Sequence, residues 1–231
     1  MRTISFDSGP VISLATNNLL WILKPLKERF RGQFLLTPAV RRELVEQPLA
    51  IKRFEFEALQ VLREIKTGTF VIAPRGKLDK DRDVLFALAN NLYSAKGTSI
   101  TLLHQAEVEA IAGALAYEAK AIVIDERTSR LLIEQPLGLR DILQEKLHTK
   151  IVVDMENFRA LQKRLSGLRV IRSLELCLVA VELGLLDDYL PEKMPKKVLL
   201  DAVLWGLRLR GCSIPEDDLR DVLAGKMGVS L

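Results

Sequence analysis

The chain has 231 residues, 48% hydrophobic and 28% charged, a globular balance with enough length to bury a sizeable core and too much apolar content for a disordered protein. Lys and Arg number 34 against 30 Asp and Glu, a formal net charge of +4, which permits a polyanionic partner without demanding one. No apolar run approaches the roughly 18 residues of a membrane span, and with only two Cys and two His a zinc centre of Cys/His type is excluded.

The opening segment lacks the charged and apolar regions of a secretory signal. Cys177 and Cys212 stand far apart in apolar surroundings and read as buried thiols, which suits a reducing cytoplasm.

In chain order, Ile4-Ser5-Phe6 reads as a strand that ends on Asp7, followed by Gly9-Pro10 and a helical stretch over 11–30. Gln33-Phe34-Leu35-Leu36 is a second strand, and Thr37-Pro38 supplies an N-cap and a first helical residue. Helices follow at 38–47 and 51–66. Phe70-Val71-Ile72-Ala73 is a third strand, followed by helices at 79–95 and 104–119. The β-branched, unalternating run Ala121-Ile122-Val123-Ile124 has the pattern of a strand covered on both faces of a parallel sheet. It too ends in a carboxylate, Asp125. Lys150-Ile151-Val152-Val153 is a fifth strand, and 155–166 a further helix. Alternating strands and helices predict a three-layer α/β/α fold with a mostly parallel central sheet, in a first domain over 1–150 and a mainly helical extension over 151–231.

Four acids stand out by position. Asp7 and Asp125 close strands at their carboxyl ends, where open α/β sheets bind ligands. Glu43 lies beside Val40 and Leu44 on an apolar helical stripe, and Glu107 shares a face with Ile111 and Leu115. Glu109 is an alternative to Glu107. Each acid also has a structural explanation: a turn, a cap, or a helix dipole complemented at its positive end. Brought together, they would repel unless a hard divalent cation, Mg2+ or Mn2+, sat among them, and the matching substrate is a phosphodiester. Gly113, in the middle of the same helix as Glu107, signals close approach to another element.

The segments "FDSGPVISL", "TPAVRREL" and "AEVEAIAGALAYEAKAIVIDERTSR" together resemble the PIN-domain nucleases, prokaryotic and archaeal members above all, over about residues 1–130. The resemblance implies a PIN-like fold and a metal-dependent endoribonuclease using Mg2+ or Mn2+. Its acidic site falls on Asp7, Glu43, Glu107 and Asp125, with Ser8 as the small hydroxyl residue beside the first acid. Gln105-Ala106 stands where many relatives have a glycine before the third acid. The implied partners are RNA and an antitoxin-like protein, as in toxin–antitoxin pairs; the C-terminal helical pair reads as a packing element or a contact with a second copy of the chain, and no membrane is expected. Arg41, Arg42, Arg127 and Arg130 flank the acids and are the expected RNA-binding cations, the competing reading being pairs with surface acids such as Glu46 and Glu126. The alternative function is a PIN module without catalysis that binds RNA or a protein.

A nucleotide-binding Rossmann enzyme is disfavoured by the lack of any G-x-G-x-x-G or Walker A run. Near the C-terminus, Gly211 ends one helix and Ser213-Ile214-Pro215-Glu216 caps another. Glu216, Asp217, Asp218 and Asp221 on the second helix exclude a DNA-reading role, because they would meet phosphates with like charge.

Overall fold

A computed structural model describes residues 2–191, 194–210 and 219–220. Its strands are β1 (Thr3–Phe6), β2 (Gln33–Leu36), β3 (Phe70–Ile72), β4 (Tyr93–Ala95), β5 (Thr98–Ser99), β6 (Ala121–Val123), β7 (Ile151–Val153) and β8 (Arg169–Ile171). The helices are α1 (Ser8–Thr16), α2 (Leu23–Phe30), α3 (Pro38–Arg41), α4 (Gln47–Leu49), α5 (Glu55–Lys66), α6 (Asp79–Asn90), α7 (Gln105–Ala116), α8 (Arg127–Glu134), α9 (Pro136–Leu147), α10 (Met155–Leu165), α11 (Ser173–Glu182) and α12 (Lys196–Arg210).

Five strands form the central sheet in the order β3-β2-β1-β6-β8, all parallel. β1 is central because all four of its residues are buried, the pattern of a strand covered on both faces. One face carries Ile4, Phe6, Phe34 and Phe70. Phe6 packs on Phe34 at 4.9 Å and edge-on to Phe70 at 5.4 Å, and α2 and α11 add Leu26, Leu176 and Val179 around Ile4 and Phe34. On the other face Ser5 donates its hydroxyl proton to the Ala110 carbonyl of α7 at 2.9 Å. There Gly113 lets α7 ride close: a Cβ at that position would stand 2.8 Å from Thr37 Cγ2 and 3.6 Å from Leu35 Cδ2.

Thr37 accepts from the Val40 amide, and Pro38 opens α3, as the sequence predicts. The helix expected over 11–30 is broken. Asn18 adopts a left-handed φ of 56°, a conformation asparagine tolerates and one that ends helices, and α2 starts afresh at Leu23. The helix expected over 79–95 stops at Asn90.

Its last three residues become β4, which turns through Lys96 (φ 51°) and Gly97 (φ 81°) into β5, the positive-φ pair of a two-residue hairpin. β7, expected as a strand without an assigned partner, pairs antiparallel with β4, Ser94 opposite Val152, in a second sheet ordered β5-β4-β7. β8 joins β6 at the edge of the central sheet, so residues after 150 complete both sheets. α12 lies against α1, where the Thr16 hydroxyl donates to the Arg210 carbonyl at 3.2 Å.

Cys177 is fully buried in α11. Cys212 and the expected Gly211 stop and Ser213–Glu216 cap lie outside the described residues. Among those described, no helix is long and apolar enough to cross a membrane.

Candidate functional site

Parallel pairing of β1 with β6 sets Phe6 opposite Val123, so both strands end at one rim. The ladder runs one bond further, from the Asp7 amide to the Val123 carbonyl at 2.9 Å. Asp7 caps α1 by accepting from the Gly9 amide on Oδ2 at 3.4 Å. The cap leaves Oδ1 buried, with no hydrogen-bond partner among the described residues. Gly9 separates the two strand-end acids: a Cβ there would lie 3.5 Å from Asp7 Oδ2 and 3.8 Å from Asp125 Cβ.

Burial pushes the Asp7 carboxyl up from 3.8 to about 7, its amide hydrogen bonds from Ser8 and Gly9 oppose the rise, and the charges of Glu107 and Glu43 add to it. The charges of these two acids are thus felt at Asp7. Glu43 receives the Ser8 hydroxyl proton on Oε2 at 2.8 Å, which pins it toward the start of α1. It sits in Arg42–Glu46, a π-helical turn closed by the Gln47 amide on the Arg42 carbonyl. Pro48 accounts for the widening: it has no N–H for the Leu44 carbonyl and its ring would strike it.

Glu107 accepts from the His104 amide at 2.6 Å and from the Ser129 hydroxyl at 3.4 Å. Its carboxyl is raised, chiefly by burial and then by the charge of Glu126, with the His104 amide working against both.

Asp125 has a different situation. Its two oxygens each accept one strong bond, Oδ2 from the Ser13 hydroxyl at 3.0 Å and Oδ1 from the Ser173 amide at 2.8 Å. It ties β6 to α1 and to the first residue of α11, with a lone pair left on each oxygen.

Glu109 is turned away from Asp7. Its Oε2 accepts from the Ala39 amide of α3 at 2.9 Å, and Oε1 lies 3.9 Å from Arg82 Nη1. Two residues along a helix point to nearly opposite sides, so Glu107 and Glu109 look out on either flank of α7. Among the described residues, no three His, Cys, Asp or Glu side chains stand close enough together to grip a metal ion as they are placed.

The four expected cations separate. Arg41 is paired with Glu46 at 2.6 Å. Arg42 is exposed and donates to Gln105 Oε1 at 3.4 Å. Arg127 is exposed on the first turn of α8. Arg130 is half-buried, its charge felt by the Glu134 carboxyl, which burial raises.

Three contributors escaped sequence reasoning. Ser13 is a hydroxyl on the buried side of an apolar helix, a signal in itself. Ser173 is a helix-opening residue used through its amide, which no side-chain pattern reveals. Glu126, read there as a surface acid, caps α8 by accepting from the Ser129 amide at 2.6 Å. Compared with known proteins, the chain matches no family model, no curated protein and no solved structure.

Proposed function

We propose that this chain is a metal-dependent endoribonuclease of PIN type, hydrolysing phosphodiester bonds of RNA at the rim where β1 and β6 end. The observation that supports the reading is Asp7: a buried carboxylate with one oxygen lacking a hydrogen-bond partner among the described residues, in the field of Glu43 and Glu107. A buried acid left this way destabilises the protein unless the group it awaits is a cation or a proton. Hard carboxylate oxygens fit Mg2+ or Mn2+, which keep several waters and need only one or two direct protein ligands.

Asp7 and Glu107 would hold the ion, Glu43 through water or directly, and Asp125 through its remaining lone pairs. Such an ion, when bound, orients and acidifies a water and offsets charge developing on phosphorus. The chain's own groups prepare the place. The Ser8 hydroxyl fixes the Glu43 carboxylate, and the His104 amide fixes Glu107. Burial keeps a proton on Asp7 near neutral pH, a proton that cation binding displaces.

The test is cleavage of a single-stranded RNA with and without Mn2+, beside the thermal midpoint in both conditions. Cleavage that needs Mn2+ and stops on chelation, with a raised midpoint from mass action, supports the reading. RNA bound without cleavage and without any Mn2+ effect on the midpoint would replace it with a binding module.

An acidic pocket repels RNA at long range, so exposed cations must hold the backbone. Arg127, exposed beside the Glu126 cap, is the one expected to act. Arg127→Ala should weaken single-stranded RNA binding and lower the slope of log K against log salt by about 0.7, the value for one phosphate contact on a single strand. An unchanged slope would move the RNA path elsewhere.

A further inference from the structure

On the flank of α7 opposite Glu107 lies a cleft of about 200 Å³ between α3, α6 and α7, lined by Pro38, Leu78, Arg42, Arg82, Gln105 and Glu109 among others. It adjoins the acidic rim through the chain itself. Arg42 lines the cleft and the next residue, Glu43, accepts from Ser8; Gln105 lines the cleft two residues before Glu107, which accepts from His104 and Ser129. Its volume is below the roughly 300–1,000 Å³ of pockets for drug-sized ligands, which suits a single flat ring system.

The charges in the cleft nearly cancel. Arg82 lies 2.7 Å from Asp79 and 3.9 Å from Glu109, so it is not a spare cation awaiting phosphate. What remains for a ligand is a mixed set. Among the described residues, Oε1 of Glu109 has no closer partner than that guanidinium and is an acceptor, the exposed Arg42 is a donor, and Pro38 and Leu78 offer apolar walls.

We infer that this cleft is a subsite for a guanine base of single-stranded RNA next to the bond to be cut. The inference rests on the ribonuclease reading for its substrate. Guanine is the base whose pairing edge offers two adjacent N–H donors to a carboxylate and whose O6 and N7 accept from arginine. In single strands that edge is free to be read. Glu109 takes the N–H pair on Oε1, and Arg42 reaches O6 or N7. Adenine and cytosine lack the paired donors, and uracil has one.

Titration of the metal-free protein in chelator with each of the four nucleoside 5′-monophosphates reads the site without cleavage. A second arm uses two single-stranded oligonucleotides that differ only in one central guanine or adenine. The guanine forms should bind tighter in both arms by on the order of tenfold or more. Glu109→Gln, which can keep an oxygen on the Ala39 amide and turns a donor toward the ligand, should erase the preference. The exposed Arg42→Ala should reduce it with the fold intact, and it carries the test if Glu109→Gln does not fold. Equal binding of the four nucleotides, a preference confined to the free nucleotide, or a preference that survives in every folded variant would overturn the inference. Guanine preference without Mn2+-dependent cleavage would leave the subsite standing and overturn only the nuclease reading.

Discussion

Replacing Asp7 by asparagine should stabilise the metal-free protein at neutral and alkaline pH and abolish RNA cleavage. The carboxyl titrates near 3.8 when exposed and at about 7 in the fold. A raised acid contributes its full stability below the unfolded value, and loses it as pH rises through the folded one. The metal-free wild type should therefore weaken between about pH 4 and pH 8, by up to about 4 kcal/mol from this group, with the raised Glu107 carboxyl adding in the same direction. In Asp7→Asn the Asp7 part of that slope is gone. Denaturant melts at about pH 5 and pH 8 with chelator measure it. Saturating Mn2+ should flatten the wild-type slope and leave the variant unmoved. Cleavage should fall by more than about a hundredfold, because Asp7 would hold the ion directly and even a partner one layer out costs about 10–100-fold. A variant that cleaves normally would remove Asp7 from the chemistry.

Asp125→Ala should do the opposite to the fold. It removes the acceptor of two buried donors, the Ser13 hydroxyl and the Ser173 amide, and each unsatisfied donor costs about 1–3 kcal/mol. A loss of about 3 kcal/mol or more would lower the melting midpoint by roughly 6–12 °C in a chain of this size. Asp125→Asn, which keeps one acceptor oxygen, should fall between. Two strand-end acids at one rim would then carry opposite signs in metal-free stability. If Asp125→Ala left the metal-free midpoint unchanged, its contribution would be to the ion alone.

These two acids also show what could be read from the chain. Both were legible as carboxylates at strand ends, because β1 and β6 are short, apolar and followed at once by turn or helix signals. The parallel sheet was legible for the same reason. The choice between Glu107 and Glu109 was not, because both lie in an apolar, alanine-rich helix buried on most sides, where periodicity loses its contrast. The division of labour between Asp7 and Asp125 was invisible too, since Ser173 acts through its main chain from 48 positions away. The β4–β5 hairpin went unseen because Tyr93-Ser94-Ala95 and Thr98-Ser99 lack the β-branched apolar run of β6 or β7, and Tyr93 continues the apolar spacing of α6 without a break. β7 read correctly as a strand. Its antiparallel pairing with β4 was not legible, because β-branched composition says nothing about direction.

The order of strands across the sheet bears on when activity can arise. β1 is made first and lies at the centre, yet its neighbour β6 comes more than about a hundred positions later, and the Ser13–Asp125 tie spans 112. Such non-local pairing is slow to form, since long loops must close before any contact repays them. A nascent chain that has not yet delivered β6 leaves Asp7 in water with an ordinary acidity. The pocket that raises its pKa comes into being only when the sheet closes, so on the proposed reading an unfinished chain has no site with which to cut RNA.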